Sequence, residues 1–214
     1  LANIREVDAV VYVLRCFEDE DVTHVAGKVD PLADFETVET ELMLADLDSL
    51  EKRRVTLEKK VKTGDKEAKT TLALVALALE QLQEGKPARH TAVPEDQAKE
   101  WRMLQLLTAK PVLFVANVDE DSAAHGNEYS EMVVKRAAEE GAIAVVISAK
   151  IEAELALLED EERAEYLASL DLEEPGLNRL IHAGYALLDL QTYFTAGPKE
   201  ARAWTIRKGW TAPK

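Results

Sequence analysis

Three short apolar runs stand out along the chain: residues 9–17 (AVVYVLRCF), 111–117 (PVLFVAN) and 142–148 (AIAVVIS). Each is continuous rather than alternating and rich in β-branched residues, the pattern of parallel strands covered on both faces. Segments of helical periodicity separate them, among them residues 129–140, which stop at Gly141. Strands alternating with helices in this way predict an α/β fold with a parallel sheet.

Between the first two runs the periodicity changes. Leu47, Leu50, Leu57 and Val61 recur at steps of three, four or seven on a helix expected to begin near residues 34–36. After Thr63-Gly64-Asp65, the positions Leu72, Val75, Leu79 and Leu82 repeat that spacing until Gly85-Lys86-Pro87 ends it. The expectation is an antiparallel helical hairpin of coiled-coil type. Past Ile151 the chain is acidic and helical, Glu174-Pro175-Gly176 breaks it, and residues 177–190 are expected to form another helix. Residues 193–210 alternate like two short strands around Gly197-Pro198.

The 214 residues carry 26 Lys and Arg against 41 Asp and Glu, a net charge of −15, with 47% hydrophobic residues. That apolar content supports a folded core in one or two domains. No run approaches the roughly 18 to 20 apolar residues of a membrane span, and Leu1–Glu6 lacks a signal-peptide plan, so membrane and export readings are set aside. Cys16 is the only cysteine, which rules out an internal disulfide and suits the reducing cytoplasm.

The acidic balance argues against general nucleic-acid binding, DNA included, but one basic concentration surrounds the hairpin turn: Lys52, Arg53, Arg54, Lys59, Lys60, Lys62, Lys66 and Lys69. One reading is a solvated helix face balanced by Glu51, Glu58 and Glu67; the other is an arm that touches RNA phosphates.

Candidate chemistry gathers at strand ends, where open parallel sheets bind ligands. The second run leads into Asn117-Val118-Asp119-Glu120 and the third into Ser148-Ala149-Lys150. As a pair these resemble the base-recognition loops of P-loop nucleotide-binding domains, an Asn-Lys-x-Asp loop and a Ser-Ala-Lys loop. In the guanine-specific loop an Asp carboxylate accepts from guanine N1 and N2 while a Lys stem lies along the ring. Glu120 and Val118 occupy those positions in this chain, and the longer Glu displaces the bidentate geometry. Asn117 can pair with the N6 and N7 edge of adenine, a readout worth roughly 1–3 kcal/mol. The expectation is a preference for ATP over GTP.

The loops are accompanied by Arg15-Cys16-Phe17-Glu18-Asp19, Thr23-His24-Val25-Ala26-Gly27-Lys28-Val29-Asp30-Pro31, Glu39-Thr40-Glu41-Leu42, Ala45-Asp46-Leu47, Gly176-Leu177-Asn178-Arg179-Leu180-Ile181 and Gln191-Thr192-Tyr193-Phe194-Thr195-Ala196-Gly197. In this order they resemble the YchF family, the Obg-like ATPases, across essentially the whole chain. The resemblance implies a P-loop NTPase-type sheet with a coiled-coil insertion, a C-terminal β-grasp TGS domain, ATP hydrolysis with Mg²⁺, and association with the ribosome, either the large subunit or the 70S particle. On that basis residues 1–33 and 108–190 are expected to form the nucleotide-binding domain, 34–107 the helical insertion and 191–214 the start of the TGS domain. Asn117, Val118 and Glu120 are expected to face the base, with Ser148, Ala149 and Lys150 closing over it. The basic hairpin becomes a candidate contact for ribosomal RNA.

No G-x-x-x-x-G-K-[ST] occurs, since Gly27-Lys28 precedes Val29 and lacks the earlier Gly. The phosphate loop, the Mg²⁺ ligands and the switch loops implied by the resemblance are therefore expected upstream, and the chain reads as an interior part of a longer protein. By itself it is expected not to hydrolyse ATP, because phosphoryl transfer rests on those parts. The competing readings are a non-catalytic ribosome or RNA adaptor that works through the hairpin, and a GTP-specific translation factor.

Other features carry less. His24, His90, His125 and His182 share no metal-ligand spacing. A calcium loop starting at Asp119 would need Gly where Ala124 stands. Trp101, Trp204 and Trp210 are too scattered for a base-stacking platform, and Cys16 reads as a small apolar residue closing a strand.

Overall fold

The computed structural model describes residues 2–19 and 28–211; the Thr23–Gly27 part of the resemblance, with His24, lies outside them. Residues 1–10 and 33–110 form one unit, residues 11–32 and 111–214 another.

In the first unit a short helix α1 (Ala2–Glu6) precedes α2 (Pro31–Lys62), which at 32 residues is about 48 Å long. Pro31 is the first residue of α2, where its missing N–H costs nothing, so the helix begins earlier than the apolar periodicity suggests. Gly64, at φ +89°, turns the chain, and Asp65 caps α3 (Lys66–Gln83) by accepting from the Ala68 N–H at 3.0 Å. Leu50 and Leu57 of α2 share a core with Leu74, Val75, Leu79 and Leu82 of α3, while Leu47, Val61 and Leu72 pack at its margin. Of the positions marked by the heptad-like spacing, Leu50, Leu57, Val75, Leu79 and Leu82 are thus buried and the other three partly so. A return segment containing α4 (Ala98–Arg102) adds Ala88, Leu104 and Leu106.

Two carboxylates hold that segment to α2. Asp46, fully buried, accepts from the backbone N–H of Leu107 (2.9 Å) and Thr108 (2.8 Å) and from the Thr108 hydroxyl (2.9 Å). Glu39 accepts from Arg89 Nη1 at 2.7 Å, with both side chains at most 10% exposed. Residues 1–10, expected with the sheet, belong to this helical unit instead. Arg5 Nη1 donates to the Gln105 carbonyl and lies 3.7 Å from Asp46, and Lys110 donates to the carbonyls of Arg5 and Val7.

The second unit is built on a three-stranded sheet in the order β1 (Val10–Arg15), β2 (Val112–Asn117), β3 (Ile143–Ile147). Strands β2 and β3 are parallel, with Asn117 opposite Ile147, and the Cys16 N–H donates to the Asn117 carbonyl at 2.7 Å. The carboxyl ends of all three strands therefore lie side by side. Strand β2 is covered on both faces, as its continuous apolar run predicts. Strand β1 is not: Tyr12 and Leu14 are buried while Val11 and Val13 are exposed, because β1 is an edge strand among the described residues.

Helix α5 (Glu128–Glu139) packs on β2 and β3. The acidic stretch expected as one helix is two, α6 (Ala149–Leu155) and α7 (Asp160–Ser169), sharing a small core of Ile151, Leu155 and Leu167 with Ala123. Helix α8 (Gly176–Leu187) buries Ala183 against Leu113 and Val145. It ends before residue 190 because Asp189 adopts φ +53° and turns the chain into β4 (Leu190–Ala196), which pairs antiparallel with β5 (Ala201–Arg207).

Candidate functional site

Two loops leave the carboxyl ends of β2 and β3 and are tied to each other. The Asn117 carboxamide oxygen accepts from the Ala149 N–H at 2.9 Å, and the Val118 N–H donates to the Ile147 carbonyl at 2.8 Å. Across the same gap Lys150 Nζ meets Glu120 Oε1 at 2.5 Å. That hydrogen bond and the adjacent negative charge raise the Lys150 pKa, so its ammonium stays charged through neutral pH. Ser148, buried at the N-terminus of α6, has a hydroxyl with no hydrogen-bond partner. A buried hydroxyl of this kind fits a site that recognises a polar ligand.

The six residues expected at the base therefore fall into three groups. Asn117, Glu120, Ala149 and Lys150 come together with exposed or half-exposed side chains. Ser148 lies beneath them. Val118, expected to face a base, is only 2% exposed, and its N–H extends the β2–β3 ladder. The Asn117 oxygen is also already engaged, so its amide N–H groups are the donors left to point outward.

Motif reasoning does not single out Asn127. It caps α5 by accepting from the Ser130 N–H at 2.9 Å, while the Ser130 hydroxyl accepts from the Asn127 N–H at 2.8 Å. Its amide donates to the Cys16 carbonyl at 2.7 Å, fastening the end of β1 to the loop after β2. The only signal for it in the sequence is an Asn followed three residues later by a polar side chain, ahead of a helix. Asp119 accepts from the Ser122 N–H at 2.8 Å and shapes the same loop. Cys16 is fully buried, and desolvation pushes its pKa up to about 12, so the thiol is not a nucleophile at neutral pH.

The basic concentration belongs to the helical unit. Lys52 pairs with Asp48 at 2.6 Å, Arg54 lies 3.8 Å from Glu58, and Arg53 Nη1 donates weakly to the Met103 carbonyl at 3.4 Å. Lys59, Lys60, Lys62, Lys66 and Lys69, toward the turn, are exposed and hold no ion pair among the described residues. Residues 52–69 contain eight basic side chains against three acidic ones. The balancing expected of Glu51, Glu58 and Glu67 thus extends only to Arg54.

Comparison with known proteins adds a family. Residues 190–214 match the family model YchF-GTPase_C, described as a protein of unknown function (DUF933). Over 214 residues the chain is 52% identical to the ribosome-binding ATPase YchF of Haemophilus ducreyi, and over 216 residues it is 47% identical to that of Bacillus subtilis. In both cases all of this chain is covered and 59% of the relative, so the chain spans somewhat more than half the length of the curated relatives it matches. Among solved structures, one titled as the Schizosaccharomyces pombe YchF GTPase superposes with a TM-score of 0.85 at 31% identity, covering 99% of this chain and 58% of that one.

Proposed function

We propose that this chain, similar over its whole length to YchF proteins, supplies the base-recognition loops and an RNA-binding arm of a ribosome-associated ATPase that prefers ATP to GTP. The observation that carries this reading is the braced pair of loops at the carboxyl ends of β2 and β3, with Asn117 bonded to Ala149 and Glu120 to Lys150. Asn117, Ser148 and the Lys150 stem would hold the adenine ring, and the Glu120 carboxylate, neutralised by Lys150, would not be offered to guanine N1 and N2. Residues 11–33 and 108–190 would serve the nucleotide domain, 34–107 a coiled-coil insertion joined by the first ten residues, and 191–214 the opening hairpin of a TGS domain.

When bound, ATP supplies the phosphoryl group that is transferred. The base-loop residues orient the base and leave the phosphates to other parts. No three His, Cys, Asp or Glu side chains gather as a metal site among the described residues, and no step is assigned to Mg²⁺. The exposed lysines at the α2–α3 turn would meet rRNA phosphates, a role that goes with a cytoplasmic protein. No described helix is long and apolar enough to cross a membrane.

Base selection is tested by Glu120→Asp in a full-length family protein carrying this chain. The shorter carboxylate loses Lys150 and recovers the reach of the guanine pattern. Its affinity ratio of GTP to ATP is expected to rise by about tenfold, or about 1.4 kcal/mol. A ratio that does not move, measured by competition with a fluorescent nucleotide, would remove Glu120 from base selection.

A further inference from the structure

We propose that the cleft beside β3, between α5 and the start of α8, binds a small carboxylate with a short apolar body. The cleft has a volume of about 400 Å³ and lies in the second unit, with Ala123–Gly126 of the loop after β2 among its lining residues. That size is within the range of small-molecule sites.

Two cationic side chains, Lys135 and Arg179, line it beside His125, against one acidic residue, Glu131. On a chain of net charge −15 this is a local inversion of sign. Arg179 is the most telling. It sits in the first turn of α8, where the helix dipole disfavours a cation, and it lines the cleft. Glu152 accepts instead from the N–H groups of Gly176 and Leu177 at the start of α8, at 2.7 and 3.2 Å. Among the described residues neither Arg179 nor Lys135 holds an ion pair. A guanidinium cannot lose its proton at neutral pH, so an anion in the cleft is the partner that its charge favours.

The other walls select within anions. Val134, Ala138 and Val146 present methyl groups, which reward a hydrocarbon body over bare phosphate. Glu131 penalises a second negative charge on the ligand. Arg179 belongs to the Gly176–Ile181 segment that the nucleotide reading leaves without a task.

The test uses the 214-residue chain labelled with ¹⁵N and titrated with isovalerate or inorganic phosphate. Isovalerate is expected to shift the amides of residues 123–126 and 130–138 saturably, with a dissociation constant on the order of 1 mM, and phosphate to bind more weakly. Arg179→Gln and Lys135→Ala should each weaken isovalerate by about tenfold, whereas Lys66→Ala, in the other unit, should not. Lys135 is exposed, so its variant keeps the test open if Arg179→Gln fails to fold. Absence of saturable shifts, phosphate binding as tightly as isovalerate, or wild-type binding by the folded variants would each overturn the proposal.

Discussion

Asp46→Ala is expected to cost about 3–5 kcal/mol of stability, the range for breaking a buried charged network. Its carboxylate is fully buried and receives two backbone N–H groups and one hydroxyl from Leu107 and Thr108, 61 and 62 residues away. Removing it strands those donors where water does not reach and leaves Arg5 without its nearest acid. Thr108 also accepts from the Ala88 N–H at 3.1 Å, so the loss spreads into the turn that ends α3. Asp48→Ala, two residues along the same helix, removes only an exposed pair with Lys52 and should cost less than about 0.5 kcal/mol. Urea unfolding followed by far-UV circular dichroism compares the two. An Asp46→Ala loss no larger than that of Asp48→Ala would mean that the apolar core of the helical unit holds the return segment without the carboxylate.

Reversing Lys59, Lys60 and Lys62 to Glu should weaken cosedimentation with ribosomes by at least about tenfold at moderate salt, since every phosphate that goes unneutralised also keeps its counterions. The three side chains are exposed and unpaired in the described structure, so the substitution changes the field at the turn and not the packing beneath it. The wild-type interaction should weaken steeply as salt rises, and the variant should respond less. Cosedimentation that survives the reversal would make the turn a solvated helix face.

Features carried by local spacing were legible in the sequence. The apolar runs became strands β1, β2 and β3 within one or two residues, because a continuous β-branched run offers little else. The seam of α2 and α3 could be read from Leu50, Leu57, Val75 and Leu79 for the same reason. The division of the acidic segment into α6 and α7 was hidden. Leu157 and Leu158 carry the apolar pattern through the break, and the capping residue there is Glu159 rather than a usual Ser, Thr, Asp or Asn. Asp46 could not be found at all from spacing, since its partners lie on a distant segment. Within the candidate site, Asn117, Ala149, Glu120 and Lys150 were identified as neighbours from loop resemblance. The burial of Val118 was not legible, because the loop's resemblance gives positions and not the ladder bond to Ile147.

The names of the relatives divide on the nucleotide: the bacterial proteins are called ATPases and the fission-yeast structure a GTPase. Competition of ATP and GTP for a full-length family protein carrying this chain meets that division directly. With Glu120 held by Lys150, ATP should displace a bound fluorescent nucleotide at concentrations at least about tenfold below GTP, and Asn117→Ala should weaken both. GTP binding tenfold more tightly than ATP would contradict the assignment of these loops to adenine.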